Sequence, residues 1–156
     1  MTLAIICGVG LMTFYFSGVE DRQHNPNDTP QSFLNQEKIE VPLKRNRQGH
    51  YVVSGNINQQ EVEFLLDTGA TDVVIPEATA KSLGLKYGRR GRAMTANGPI
   101  TIWQTHIDEL KIGDITLHDV DASINPQMEA GSILLGMSAL GRIEFVQSDD
   151  TLTLRQ

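Results

Sequence analysis

From residue 39 onward, apolar side chains recur mostly in short runs and alternations with a period near two, the mark of half-buried β-strands. Tyr51-Val52-Val53 with Ile57 predicts one strand, and Val62-Glu63-Phe64-Leu65-Leu66 predicts another, joined by a hairpin at Asn58-Gln59-Gln60. Val73-Val74-Ile75 predicts a further short strand. Pro76 then opens a helix over residues 77–83, since a proline in the first turn loses no helical hydrogen bond, and Gly84 stops it. Residues 86–92 read as a basic, glycine-containing loop. Residues 94–103 predict a second hairpin about Asn97-Gly98, two residue types that accept the positive φ of a tight turn. Strands follow over 105–112 and 115–124 about the turn Gly113-Asp114, then a loop over 126–131. Ile133-Leu134-Leu135-Gly136 is a fully apolar strand ending in glycine, and residues 137–140 predict a helical turn. Residues 143–146 and 152–154 close the domain as a hairpin about Ser148-Asp149-Asp150.

The first 38 residues have a different texture. Residues 3–19 contain no charged side chain. A membrane-spanning helix needs about 20 apolar residues, with a range reaching down to about 17. A transmembrane anchor over residues 1–19 is the favoured reading. A cleaved signal peptide is the second, although a basic leading region and an Ala-x-Ala site are missing. A buried globular helix is the third, disfavoured by a run that is apolar on all sides and followed by a polar tract. Glu20, Asp21 and Arg22 follow the run and no Lys or Arg precedes it, so charge bias says little about orientation. Residues 20–38 hold Pro26 and Pro30 among polar side chains, which predicts a flexible linker spanning roughly 25 Å. The folded domain is then expected over residues 39–156.

The chain has 156 residues, enough for one ordinary domain. Its net charge of −6 argues against a nucleic-acid-binding protein, which normally carries a basic patch. Arg89, Arg90 and Arg92 cluster around Gly91 and read as a solvated loop rather than a phosphate site. Cys7 is the single cysteine, which rules out an intramolecular disulfide and a thiolate metal cluster. His24, His50, His106 and His118 lack ligand spacing, so no metal and no cofactor are expected. Ser138 has no His or Asp at a spacing that would activate it as a nucleophile.

Leu66-Asp67-Thr68-Gly69-Ala70 is the segment with chemistry in it. Asp67 in a Thr-Gly turn has an ordinary explanation, an Asx-turn in which the side chain caps its own loop. Yet the apolar runs on both sides, Phe64-Leu65-Leu66 and Val73-Val74-Ile75, would leave an unpaired carboxylate poorly solvated, and such a position suggests function. Phe64 through Thr71 resembles the active-site strand and loop of retropepsin-like aspartic proteases. Thr95-Ala96-Asn97-Gly98, and Leu134-Leu135-Gly136-Met137-Ser138 with Leu140, resemble a bacterial, membrane-anchored branch of that family. The similarity covers residues 53–154. Asp-Thr-Gly alone recurs by chance; with apolar strands, a following hairpin tip and a later Leu-Leu-Gly in this order, it is specific.

That resemblance implies an all-β fold, a small closed β-barrel with one or two short helices, preceded here by the N-terminal helix. It implies an aspartic endopeptidase with a peptide or protein substrate. The motif occurs once and two carboxylates are needed to activate a water, so the implied state is a homodimer with two Asp67 side chains on its two-fold axis. Like charges that close share one proton; the ionised member would take a proton from water and the protonated one would donate to the scissile carbonyl. Thr68 would tie the two loops together, and Gly69 would let substrate approach closely. Ala70, Thr71 and Asp72 would bind the peptide, with Thr71 standing where viral members commonly carry Asp. Ala96, Asn97 and Gly98 would form the tip of a flap pairing with an extended substrate. Trp103 lines the flap base or belongs to the core, with nothing to separate the two. The domain is expected on the periplasmic side of a bacterial inner membrane. A catalytically idle barrel serving as a dimerisation or peptide-binding module is the rival reading.

Overall fold

The computed structural model describes residues 23–95 and 98–156. The apolar run of residues 3–19, and with it the expected anchor, lies outside them. Among the described residues no helix is long and apolar enough to cross a membrane.

Eleven strands and two short helices form the described fold. β1 (Phe33–Asn35), β2 (Lys38–Lys44), β10 (Glu144–Ser148) and β11 (Thr151–Arg155) make a four-stranded antiparallel sheet in the order β1-β2-β11-β10. The other strands are β3 (Val52–Ile57), β4 (Gln60–Leu66), β5 (Val73–Pro76), β6 (Arg90–Thr95), β7 (Gly98–Ile112), β8 (Ile115–Asn125) and β9 (Ile133–Leu135). They follow the order β3-β4-β9-β5-β8-β7-β6, and β3 also pairs with β7. Six strands therefore close a barrel, and β6 hangs outside it on β7.

Local sequence explains the turns. Asn58 and Gln59 both adopt positive φ, 47° and 66°, the pair that a two-residue hairpin with matching strand twist needs. Helix α1 (Glu77–Ser82) starts after Pro76 and ends where Gly84 takes φ 68°. Closure depends on Gly55. It sits where β3 meets β7, and a Cβ there would overlap the Lys111 carbonyl. Inward residues of alternate positions fill the barrel, among them Val53, Ile57, Phe64, Val73, Ile75, Ile107, Ile124, Ile133 and Leu135, all buried. Helix α2 (Met137–Leu140) follows β9 directly and buries Ala139 and Leu140.

Two expectations need correction. Residues 86–92 are not wholly a loop. Arg90 opens β6, and Arg90–Thr95 pairs residue by residue with Trp103 back to Gly98. The hydrophobic pattern is weak there because a two-stranded arm outside the barrel has no core to face. The second correction concerns the linker. From residue 23 onward it is docked on the domain: Asn25 and Asn27 are buried, β1 lies within it and β2 begins at Lys38. Asn27 is the clamp. Its Nδ2 donates to the carbonyls of Lys44 (3.0 Å) and Val52 (2.6 Å), and its Oδ1 accepts the Lys44 N–H (2.7 Å). Ser32 Oγ similarly accepts the Asp114 N–H at 2.8 Å. Polar side chains here replace water as partners of buried backbone, so low hydrophobicity does not leave the segment free.

Replacing Asn27 by Ala strands those backbone groups and should cost about 1–3 kcal/mol. Urea unfolding should register the loss, and amide exchange should rise across residues 27–44. Unchanged stability and unchanged exchange would show that Asn27 does not hold the segment.

Candidate active site

β4 runs between β3 and β9, with Leu66 opposite Leu135 in parallel pairing. The Leu66 N–H donates to Tyr51 O (3.0 Å) and the Asp67 N–H to Leu135 O (3.1 Å). The ladder thus reaches as far as the backbone of Asp67 before the chain turns. Asp67 Oδ1 accepts the Gly69 N–H at 2.9 Å, and the Ala70 N–H donates to Asp67 O at 3.2 Å. The Asx-turn is present, and it is also what presents the carboxylate: one oxygen is held by the loop, while Oδ2 meets no donor among the described residues. A Cβ on Gly69 would stand 3.1 Å from Asp67 Oδ1, so a side chain there would press on the held oxygen.

The loop is fastened from below by the chain leaving β9. The Met137 N–H donates to Ala70 O and the Ser138 N–H to Thr71 O, both at 2.9 Å. Gly136 makes this approach feasible. A Cβ there would lie 2.8 Å from Ala70 O and overlap Asp72 O outright. Ser138 Oγ accepts the Val73 N–H (2.9 Å) and donates to Asp121 O (2.7 Å), so this hydroxyl works as a clasp between β5 and β8.

Above the loop lies a cleft of about 640 Å³. Asp67, Gly69, Ala70, Thr71 and Asp72 line one side, and the β6–β7 arm covers the other with Arg92, Met94, Thr95, Ile100 and Ile102. Thr68 is exposed and is not part of the lining. Gly98 begins β7 with φ 105° and its carbonyl accepts the Thr95 hydroxyl at 2.8 Å. Ala96 and Asn97 lie outside the described residues. Trp103 packs against the core and meets Tyr87 edge-on at 6.1 Å between ring centres, away from the cleft lining. The cleft also draws Val74, Ser123, Asn125 and Leu134 from the barrel wall. Sequence reading missed these, although alternation contained the signal: Val73, Ile75, Ile133 and Leu135 point inward, so Val74 and Leu134 point out.

Partial burial pushes the Asp72 carboxyl above the usual carboxylate range, and the nearby Asp121 adds to the shift. Folding therefore favours the protonated form of Asp72 more than the unfolded chain does.

The chain matches the family described as gag-polyprotein putative aspartyl protease over residues 53–142. It is 30% identical over 120 residues to an uncharacterized protein of Sinorhizobium sp. from the cobV 5′ region, covering 74% of this chain and 52% of that protein. It is also 30% identical over 129 residues to an uncharacterized protein of Rickettsia prowazekii, covering 74% of this chain and 50% of the relative. The chain thus spans about half the length of the curated relatives it matches. A crystal structure of a retropepsin-like aspartic protease from Rickettsia conorii superimposes with a TM-score of 0.65 and 28% identity, covering 81% of this chain and 95% of that one. EIAV protease complexed with the inhibitor HBY-793 shares the fold at a TM-score of 0.52 and 19% identity, covering 64% of this chain and 93% of that one.

Asp72 yields a pH prediction. Its folded-state value lies above its unfolded value, so the stability tied to its protonated form is intact below the ordinary carboxylate range. That stability is lost as pH rises through the elevated value. Asp72→Asn should remove this part of the slope, so the variant should gain on the wild type as pH is raised from acid to neutral. Thermal unfolding of both proteins across that range checks it; a constant difference, or one of opposite sign, would contradict the account.

Proposed function

The chain belongs to the retropepsin-like aspartic protease family, and on that premise we propose that it is an aspartic endopeptidase whose active site forms when two copies bring their Asp67 carboxyls together. The observation that carries the reading is the state of Asp67 at the head of the cleft: Oδ1 is held by the Gly69 N–H, and Oδ2 has no partner within the described protomer.

The chemistry follows from the pairing. Two carboxyls within hydrogen-bond reach hold one proton between them, because two adjacent anions repel. The ionised member takes a proton from a water between them. The water oxygen bonds to the scissile carbonyl carbon while the other carboxyl gives its proton to the carbonyl oxygen. Collapse of the resulting diol breaks the C–N bond, and the departing amine takes the proton. The products are one carboxylic acid and one amine.

The surroundings support this assignment. Thr68 is exposed on the outside of the loop, where its hydroxyl is available to the backbone of a partner's loop. Met137, whose N–H bonds the loop at Ala70, is also exposed, and Phe145 and Val146 stand exposed on the edge strand β10. Apolar side chains in such places favour burial against a second copy. An extended peptide would lie between the loop and the β6–β7 arm and add its main chain to the arm's edge, with Ala96, Asn97 and Gly98 at the tip. The apolar run of residues 3–19 would hold the domain at a membrane, on the periplasmic side in a bacterial cell, where confinement raises the local concentration of copies and favours the dimer. Asp67, Thr68 and Gly69 are all intact, which sets this reading above an idle peptide-binding barrel.

Asp67→Asn should lower peptide cleavage by roughly a hundred- to ten-thousand-fold while leaving the fold intact. Full residual activity in the variant would place the chemistry elsewhere. Because each copy supplies half a site, specific activity should fall about tenfold per tenfold dilution below the dimer dissociation constant. A covalently uncoupled monomer with undiminished specific activity would overturn the two-copy site.

A further inference from the structure

One row of residues crosses the barrel wall beneath the cleft. Leu134 on β9 lies opposite Val74 on β5, and Val74 lies opposite Ser123 on β8. Their strand neighbours Ile133, Leu135, Val73, Ile75, Ala122 and Ile124 all belong to the core. Alternation therefore turns Leu134, Val74 and Ser123 to the outer face, and all three line the cleft. Ile102, buried to 8% exposure, closes the same region from β7. Apolar side chains therefore border the Ser123 hydroxyl in the cleft, whose lining also includes the polar Asp72 and Asn125.

Ser123 is only 3% exposed and its hydroxyl makes no hydrogen bond to another described residue, but Oγ is not fully enclosed, so what surface it keeps meets solvent in the cleft. The hydroxyl of Ser138, by contrast, is fully engaged: Oγ accepts the Val73 N–H and donates to the Asp121 carbonyl. A buried hydroxyl without a partner is costly once water is excluded from it. A bound side chain that offers a donor or acceptor close to its Cβ restores that bond. An all-carbon side chain fills the apolar walls but leaves the hydroxyl dry and unpaired.

Resting on the protease reading above, we propose that Ser123 is a specificity-determining residue, a hydroxyl set among the apolar side chains of Val74, Leu134 and Ile102 that selects a substrate residue with a short neutral polar tip: threonine, serine or asparagine. Threonine fits best, because its methyl meets Val74 and Leu134 while its hydroxyl meets Ser123. In a two-fold dimer the subsite occurs once on each side of the scissile bond. The preference should then appear at two substrate positions placed symmetrically about the cleaved bond.

The test uses the full-length chain and sets of peptides that differ only by Thr, Val or Ala at one position. The wild type should favour Thr over the isosteric Val by about tenfold in kcat/KM at two symmetric positions, the scale of one hydrogen bond. Ser123→Ala should erase or reverse that preference, and an unchanged thermal unfolding midpoint certifies its fold. Equal Thr and Val rates in the wild type, or a preference unchanged in Ser123→Ala, would overturn the proposal. The same peptides are also titrated against Asp67→Asn and the Asp67→Asn, Ser123→Ala double variant, with binding as the readout. If the wild type cleaves nothing, the protease reading fails, and binding still decides the subsite. Thr favoured over Val only when Ser123 is present supports it; equal binding, or none, overturns it.

Discussion

The fold depends on a crossing of two chain segments at Gly136. The loop after β4 and the exit from β9 come so close that only a hydrogen fits between them, since a Cβ would run into Asp72 and Ala70 carbonyls. That closeness lets Met137 and Ser138 donate to Ala70 and Thr71, while Leu135 accepts from Asp67. Three loop residues, Asp67, Ala70 and Thr71, are thereby tied to one short strand and the helix that follows it. A loop left to solvent would not hold a carboxylate in a fixed place, and pairing of two carboxylates tolerates little error.

The same arrangement fits the proposal that one protomer is half a site. The barrel closes on itself through β3 and β7, and its core is complete without help. The loop is held by these bonds, yet one face of Asp67 and the side chain of Thr68 face outward. In the proposed dimer, folding and site assembly would be separable: the barrel would supply the geometry, and association the second carboxylate. The docked segment over residues 23–37 gives the attachment to whatever precedes it a fixed origin on the domain rather than a loose one. Any membrane anchor would therefore act on a domain whose N-terminal approach is already set by Asn27 and Ser32.

Most of the barrel was legible in the sequence because its strands alternate against a core and its turns carry the residues that positive φ demands, as at Asn58 and Gly84. Asp67 drew attention for the opposite reason, as a charge set between two apolar runs. Three features were not legible. Arg90–Thr95 becomes a strand only through its pairing with β7, so no local hydrophobic period betrays it. Asn25 and Asn27 look like linker residues, but their amides serve as backbone partners. Ser123 sits in the buried stretch Ala122-Ser123-Ile124, where both faces of the strand are covered and the period of two disappears. Polar atoms used structurally, or lining a cleft, carry no hydropathy signal; their meaning lies in what the fold places opposite them.

The most direct test of the account is a mixed dimer. Two differently tagged full-length copies, one wild type and one Asp67→Asn, are co-expressed, and the doubly tagged species is isolated and crosslinked so that it cannot exchange. If both carboxyls form one site, this species has almost no activity, far below half that of the crosslinked wild-type dimer. Half the wild-type activity would mean that each protomer works alone, and would contradict the shared site.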